Sequence, residues 1–361
     1  MDEKKNNKKP DKNIEKFNQV TSTLPDFTSN FFYSGMTNKS ILTALAYALD
    51  LQYFFQFAIN NYEYFPEKEL KELTLDDISK ITPVDIDTFT RWMSVNQKLS
   101  DRTRARRRSS VSALYEYIVN TERKLNYNPV VKSTKIEIDE PEYVTYLNFQ
   151  QQDVLLDCIT NGTHLSKKQL EYHDAVKIRD RAIVFLFLDS GLRVSELAQL
   201  SIGDVVYEED IFDSSKNQNY VLTLRKGKKQ HSKKPSRVFF SDESKEYITE
   251  YLNERENKGE KLKDNSPLFI TGDGNRLSVR AIQDMVKKYV KAALGRSDIS
   301  VHKLRSSFAM EFYKSEKNLL VLQERMGHKS MAATNIYAKA SDKEEAVIAS
   351  QNWRNKRKPE K

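Results

Sequence analysis

The sequence predicts a mainly α-helical protein of two domains with a small antiparallel β-sheet, an α+β fold class. Three observations support this prediction. The chain has 361 residues, and 39% of them are hydrophobic, which is enough for two cores. Apolar residues recur at helical spacing over most of the length. The clearest β pattern pairs Tyr220–Leu224 with Arg237–Phe240, as in a hairpin.

The first domain is predicted to be all-helical and to follow a polar tail. Residues 1–25 are rich in Lys and Asn, so we expect a disordered basic segment there. Apolar residues recur every fourth position from Ser40, and Ser100-Asp101 opens a later helix. Residues 26–128 therefore form the first predicted domain.

A linker and a larger domain follow. Residues 129–145 lack helical periodicity and contain Pro141, which predicts an extended linker. The helical pattern then resumes, and residues 146–340 are predicted to form a mostly helical second domain that contains the hairpin. Residues 341–361 begin with a helix-compatible stretch and end in a charged tail.

Charge and cysteine content narrow the possible functions. Lys and Arg total 59 against 51 Asp and Glu, a net charge of +8, which favours a polyanionic partner. The one cysteine, Cys158, excludes an intrachain disulfide and a CxxC metal site, and it fits a reducing cytoplasm. The polar N-terminus does not predict a signal peptide, and no apolar run reaches the ~20 residues of a membrane span.

Cofactor motifs are also missing from the sequence. The chain has no P-loop and no GxGxxG motif, and its histidines lack metal-ligand spacing. We therefore expect no nucleotide, cofactor or metal dependence.

Three clusters contain the residues best suited to chemistry on a phosphate diester. They are Gly191-Leu192-Arg193-Val194-Ser195-Glu196-Leu197, His302-Lys303-Leu304-Arg305, and Met326-Gly327-His328 followed nine residues later by Tyr337. Arginine forks match the charged oxygens of a phosphoryl transition state, and a phenol is an oxygen nucleophile. Arg193 and Glu196 are three residues apart, as are His302 and Arg305, so each pair shares a helix face.

Each cluster also has a plainer interpretation. Arg193 and Glu196 could form a surface ion pair, and His302 could be a buried structural histidine. Tyr337 could be a core residue, like most of the 18 tyrosines. His328 and Tyr337 would lie on opposite sides of one helix, because nine residues turn through about 900°. For both to reach one phosphate, the chain must break between them.

Taken together and in this order, the clusters resemble those of the tyrosine recombinase (phage integrase) family. The resemblance implies that Arg193 binds the scissile phosphate with support from Glu196. It further implies that Tyr337 attacks this phosphate and forms a 3′-phosphotyrosine. His328 would donate a hydrogen bond to the same phosphate. Ser306 departs from the family pattern, in which a histidine or another polar residue is common.

Two more roles complete the implied catalytic set. His302 can transfer the phenol proton or stabilise a phosphate oxygen beside Arg305. Lys226, which lies in the predicted hairpin, would protonate the leaving 5′ oxygen of the DNA. The family has a Gly-Lys-Gly motif there, but this chain has Arg225 in place of the first glycine, and its loop is longer. Lys228 and Lys229 are alternative acids, and a lysine that merely binds phosphate from a mobile loop is another interpretation.

Five arginines in seven residues are the candidate DNA contacts of the first domain. They are Arg102, Arg104, Arg106, Arg107 and Arg108. Positive charges at the start of a helix repel one another and interact unfavourably with the helix dipole. The phosphates of a DNA backbone would offset this repulsion. The alternative is a solvated helix start.

The resemblance implies a two-domain clamp around double-stranded DNA, with a helical core-binding (SAM-like) domain and a catalytic domain. It also implies a homotetramer on two DNA sites, a monomer or dimer off DNA, and a C-terminal tail that docks on a neighbour. The tail could instead fold back on its own domain. Within the family the chain is most similar to Xer-type recombinases, and its length suggests the XerS type; an integrase of a mobile element is the other placement.

Two other functions remain open at this point. A type IB topoisomerase would use the same chemistry without strand exchange, and a non-catalytic regulator would keep only the DNA-binding scaffold. The complete set of candidate residues argues against the regulator.

Overall fold

The computed structural model describes residues 12–65, 68–138, 143–208, 219–224 and 236–352. The chain divides into two compact units, Met1–Asp139 and Glu140–Lys361. Helices dominate both, and the described strands form one antiparallel sheet. The predicted α+β class is therefore confirmed. None of the helices in these ranges is long and apolar enough to cross a membrane.

The first unit contains six α-helices among its described residues. They are α1 (Lys12–Ser22), α2 (Ile41–Asn61), α3 (Leu75–Ser79), α4 (Pro83–Val95), α5 (Asp101–Tyr117) and α6 (Pro129–Lys132). The core of the unit forms around α2, whose Leu51, Phe54 and Phe55 are fully buried. Phe89 of α4 packs edge-on against Phe54, with 5.0 Å between the ring centroids. Side-chain caps begin several of these helices; Ser40, for example, accepts a hydrogen bond from the Thr43 amide at 3.1 Å.

The prediction of a disordered tail over residues 1–25 was wrong for its second half. Residues 12–22 form α1, and Val20 and Leu24 are buried in the core of the first unit. Phe17 packs edge-on against Phe32, with 5.6 Å between the ring centroids. Phe17 and Val20 lie three residues apart on one face of α1, and their packing outweighs the Lys- and Asn-rich composition around them. Residues 1–11 lie outside the described ranges.

The predicted linker, 129–145, also begins with structure. Residues 129–132 form the one-turn helix α6, and Pro129 and Val130 are buried. The side chain of Asn128 accepts a hydrogen bond from the Val130 amide at 3.0 Å, and proline suits the first helical turn. A single turn is too short to show helical periodicity in sequence. Pro141 lies outside the described residues.

The second unit surrounds a buried helix. Its helices are α7 (Phe149–Asn161), α8 (Lys167–Leu170), α9 (Lys177–Ser190), α10 (Val194–Gln199), α11 (Asp242–Asn257), α12 (Val279–Leu294), α13 (Val301–Glu316), α14 (Leu319–Met326) and α15 (Met331–Asn352). Ile183, Val184 and Phe187 of α9 are fully buried, because helices pack on several of its sides. This burial explains why the apolar residues of α9 form a run rather than a stripe.

The sheet has the order β1-β2-β3, from β1 (Val205–Glu208), β2 (Asn219–Leu224) and β3 (Ser236–Phe240). β2 and β3 pair as predicted, with Val221 opposite Phe239. β1 adds a strand that the sequence pattern did not indicate, and it places Val206 opposite Val221. Four residues are too few for β1 to show a clear alternation of apolar and polar side chains.

His328 and Tyr337 do not lie on one continuous helix, as the helical geometry required. α14 ends at Gly327, which has a φ of +57°, and α15 begins at Met331. α15 then continues to Asn352, so the predicted domain end at residue 340 falls inside a helix.

Candidate active site

The turn between α9 and α10 presents Arg193. Gly191 ends α9 with a φ of +63°, and a Cβ there would lie 2.4 Å from the Phe308 ring, so that only glycine fits. Arg193 is the N-cap residue of α10, and its amide donates to Glu196 Oε2 at 2.7 Å. The guanidinium donates to the other oxygen, Oε1, at 2.8 Å, and 45% of the Arg193 side chain is exposed. Glu196 thus orients an arginine that remains open to solvent.

Arg305, on α13, is 3% exposed and connects two turns of the chain. Its guanidinium donates to the carbonyl oxygens of Gly191 and Met326. These residues lie at the ends of α9 and α14, directly before the turns that contain Arg193 and His328. Burial, followed by the positive charge of Arg193, lowers the Arg305 pKa to about 10. Arg305 is therefore still charged at neutral pH and would gain from a nearby anion.

His302 lies in the first turn of α13, one helical turn before Arg305. Burial lowers its pKa, and the charges of Arg305, Lys303 and Arg193 lower it further. The imidazole is therefore neutral at pH 7 and can accept a proton.

His328 is held in the turn between α14 and α15. Its amide donates to the Gln323 carbonyl at 3.1 Å, and the Gln323 side chain donates back to the His328 carbonyl at 3.1 Å. Nδ1 of the ring lies 2.9 Å from the Thr334 hydroxyl. Burial and then Arg305 and Arg193 lower the His328 pKa to about 4. A Cβ on Gly327 would lie 3.9 Å from Nη1 of Arg193, so this arginine lies beside the turn.

Tyr337 lies on α15 and is 4% exposed, among apolar residues of α13 and α14. Burial raises its pKa, whereas a hydrogen bond with Ser306 and the charge of Arg305 act in the opposite direction. Ser306, the departure from the family pattern, is thus a partner of the candidate nucleophile. The fold brings Arg193, His302, Arg305, His328 and Tyr337 together, although they come from four separate segments.

The candidate general acids Lys226, Lys228 and Lys229 lie outside the described residues, between the ends of β2 and β3. The end of β3 is nevertheless fixed close to the first cluster. Asp189 Oδ2 accepts hydrogen bonds from the Ser241 amide at 2.7 Å, the Ser241 hydroxyl at 2.9 Å and the Ser244 hydroxyl at 2.6 Å. Asp189 precedes Gly191 by two residues, so it ties the base of the hairpin to the end of α9. Its role could not be inferred from the sequence.

The arginines of α5 do not behave as one group. Arg106 and Arg107 form ion pairs with the buried Asp50, and the Arg107 guanidinium also lies 3.7 Å from the centroid of the Tyr53 ring. Arg108 donates to the Val130 carbonyl and to the Ser133 hydroxyl.

The first turn of α5 holds the other two arginines. Arg102 is exposed, whereas the Arg104 side chain is 17% exposed and pairs with the exposed Asp101. Among all the described residues of the chain, no three His, Cys, Asp or Glu side chains are grouped so as to hold a metal ion.

Comparison with protein families gives a match to the model described as the phage integrase family, over residues 163–344. Among curated proteins, tyrosine recombinase XerC of Thermodesulfovibrio yellowstonii is 31% identical over 300 residues, covering 82% of this chain and 84% of the relative. XerC of Caldanaerobacter subterraneus subsp. tengcongensis is 27% identical over 321 residues, covering 86% of this chain and 81% of the relative.

Tyrosine recombinase XerS of Streptococcus mutans is 24% identical over 353 residues, which cover 90% of this chain and 94% of the relative. Solved structures share the fold. The XerH site-specific recombinase bound to a palindromic difH substrate has a TM-score of 0.61 at 21% identity, covering 94% of each chain. The Tn1549 transposon integrase in complex with transposon right end DNA has a TM-score of 0.60 at 17% identity, covering 92% of this chain and 99% of that one.

Proposed function

The chain belongs to the phage integrase family and is a Xer-like tyrosine recombinase, and we propose that it cuts and rejoins DNA through a 3′-phosphotyrosine on Tyr337. The observation that carries this proposal is the way in which Arg305 joins the site. One buried guanidinium fixes the turn that presents Arg193 and the turn that contains His328. The residues so assembled match the chemistry of attack on a phosphate diester.

The charges of the site support a phosphate as its ligand. Burial lowers the pKa values of His302 and His328 below the usual range for histidine, and the charges of Arg305 and Arg193 lower them further, so both arginines lie close to these rings. Such mutual repulsion is relieved when an anion binds between the cations.

Each residue then has a defined step in the proposed mechanism. The Tyr337 oxygen attacks phosphorus while neutral His302 accepts the phenol proton. Arg193, Arg305 and His328 stabilise the charge on the non-bridging oxygens. The bond from phosphorus to the 5′ oxygen breaks, and a lysine of the hairpin, Lys226 or one of its neighbours Lys228 and Lys229, protonates that oxygen.

Rejoining is the reverse reaction with a different strand. A free 5′ hydroxyl attacks the phosphotyrosine and gives its proton to the hairpin lysine, while the departing Tyr337 oxygen takes back the proton held by His302. The phosphotyrosine conserves the energy of the diester bond, so the cycle needs no nucleotide cofactor.

We propose double-stranded DNA as the partner, bound by both units. Supporting this, XerH and the Tn1549 integrase, which share the fold, were solved as DNA complexes. We assign the first unit, Met1–Asp139, as the core-binding domain and the second unit, Glu140–Lys361, as the catalytic domain. In the first unit we propose Arg102 and Arg104 of the first turn of α5 as phosphate contacts. Strand exchange would require four protomers on two DNA sites. We expect this reaction to take place in the cytoplasm.

For the biological task we propose the Xer type, the resolution of joined chromosome copies at cell division. The support is that curated relatives named XerC and XerS match over most of their length and most of this chain. Integration or excision of a mobile element is the competing task. The genes next to this one separate the two, since adjacent excisionase or conjugation genes would indicate a mobile element.

The chemistry is tested by trapping the covalent intermediate. A binding site is first selected from a random duplex library, and the selected sequence is then made with a nick that lets the cleaved fragment diffuse away. The wild-type protein should form an adduct that survives denaturation, whereas Tyr337→Phe should bind equally well and form none. Tyr313→Phe, a change in a tyrosine of the same packing cluster, is the control and should form the adduct normally. An adduct with Tyr337→Phe would exclude this residue as the nucleophile.

A second assay separates recombination from relaxation of supercoils. Two duplexes that contain the selected site and have different labels are incubated with the protein. A recombinase produces molecules that combine the two labels, whereas a type IB topoisomerase would relax a supercoiled plasmid and leave the labels separate.

A further inference from the structure

Thr334 lies in the first turn of α15, between His328 and the candidate nucleophile, and its side chain is fully buried. Its hydroxyl is 2.9 Å from Nδ1 of His328. A buried threonine at this position therefore contacts one ring nitrogen of a histidine that we assign to phosphate binding.

The remaining contacts of His328 fix its backbone. Gln323 binds both the amide and the carbonyl of His328, each at 3.1 Å. These bonds place the Cα atom but leave the imidazole free to rotate about its side-chain torsions. The hydroxyl of Thr334 supplies a fixed point on the ring itself.

A neutral imidazole has one N–H, and its partner decides which nitrogen holds the proton. His328 is neutral at pH 7, because burial and the two nearby arginines lower its pKa to about 4. A hydrogen bond from the ring to a phosphate oxygen requires the proton on the nitrogen that faces the phosphate. Nδ1 is occupied by Thr334, so Nε2 on the opposite edge of the ring must be that donor.

We propose that Thr334 is a positioning residue for this reaction: its hydroxyl donates to Nδ1 of His328 and so holds the proton on Nε2, ready for the phosphate. The inference rests on the proposed function for its purpose, but the position of the proton can be measured without DNA. Thr334 does not contact the substrate in this scheme and acts through His328 alone.

The direct test is NMR of the full-length protein prepared with 13C- and 15N-labelled histidine. The chain has five histidines, and a His328→Gln sample identifies the signals of His328. We expect the wild-type ring at pH 7 to show Nε2 protonated and Nδ1 unprotonated. A proton on Nδ1 would overturn the proposal, because Thr334 would then be the acceptor. This outcome leaves the adduct assay with Tyr337→Phe untouched, so the two hypotheses can fail separately.

Two variants test whether the hydroxyl matters for the reaction. Thr334→Val keeps the branched shape and removes the hydroxyl, whereas Thr334→Ser keeps the hydroxyl. We expect Thr334→Val to mix the two proton positions and to slow adduct formation on the selected nicked duplex at least ~10-fold, a fraction of the loss for a full oxyanion donor. Thr334→Ser should restore both the NMR signature and most of the rate.

A double-mutant cycle separates this role from simple packing. In a His328→Gln background the ring is gone, so Thr334→Val should cause no further loss of rate. An equal loss in both backgrounds would show that Thr334 acts through packing and would overturn the proposal. If Thr334→Val does not fold, the wild-type spectrum and the serine variant still decide the question.

Discussion

At the scale of single residues, Arg193 and Arg305 are proposed to perform the same type of chemistry in different surroundings. Arg193 is 45% exposed and oriented by one carboxylate. Arg305 is 3% exposed and bound to two carbonyl oxygens. Mutations in the two should therefore have different effects on stability, even though both should reduce cleavage.

Arg193→Gln should reduce adduct formation at least ~10²-fold, as expected when a preorganised donor to transition-state charge is removed. It should also raise the pKa of His328 from about 4 towards 6.5, because a neighbouring positive charge is removed. NMR titration of the labelled histidines measures this shift in the absence of DNA. The free energy of unfolding should change by no more than ~0.5 kcal/mol, as for most exposed positions. An unchanged His328 pKa would place Arg193 too far away to act on the same phosphate.

Arg305→Ala should abolish cleavage and also destabilise the second unit by about 2–4 kcal/mol, because it leaves two buried carbonyls without a donor. Urea unfolding of this variant beside Arg193→Gln measures the difference. Equal stability of the two variants would show that the bonds to Gly191 and Met326 contribute nothing to the fold.

At the scale of elements, the sequence predicted the long segments with regularly spaced apolar residues. It missed the shortest elements and a helix of mostly polar composition. Long periodic segments such as α2 and α5 were anticipated, as was the pairing of β2 with β3. β1 and α6 have four residues each, too few for a period to be visible. The sequence pattern missed α1 because its Lys- and Asn-rich composition obscured the short apolar face that contains Phe17 and Val20.

The candidate site was predictable to the same extent. The residues proposed to carry the chemistry stand in recognisable motifs, so they could be proposed from the sequence alone. The residues that support them could not be identified, because Asp189 and Gln323 act through hydrogen bonds that no local pattern encodes. Ion pairs also changed the interpretation of α5, because Asp50 pairs with two of its five arginines.

The division of labour within α5 can be tested by the salt dependence of DNA binding. Arg102→Gln combined with Arg104→Gln should flatten the slope of log affinity against log salt by about 0.9 for each phosphate that the protein no longer neutralises. Arg107→Gln should mainly lower the stability of the first unit and should change the salt slope little, because its guanidinium packs on Tyr53. Binding titrations from low to high salt, with thermal unfolding of each variant, distinguish these effects. An unchanged slope in the double variant would show that this end of α5 faces away from DNA.

At the scale of the whole molecule, the central question is what the end of α15 does. Up to Glu345 the helix is held by its own unit: Lys314 pairs with Glu344 at 2.7 Å, and Lys317 pairs with Glu345. Beyond that point the helix exposes Val347 and Ile348, which are 49% and 57% accessible. Trp353 follows outside the described residues. Among the described residues, the ion pairs between α15 and its own unit end at Glu345, just before the exposed apolar residues. We propose that this apolar surface docks on a neighbouring protomer.

Ending the chain after Glu345 tests this proposal, because it keeps Tyr337 and both lysine pairs and removes only the exposed end. The truncated protein should bind a single half-site as the full chain does, since the residues assigned to DNA binding are unchanged. It should lose cooperative binding to a full site and strand exchange, because the apolar residues that reach a neighbour are gone. Val347→Ser with Ile348→Ser, in a chain of full length, should reproduce the loss without shortening the helix. Gel-shift titrations on half and full sites give the cooperativity directly, and full cooperativity in the truncated protein would show that the tail serves its own protomer.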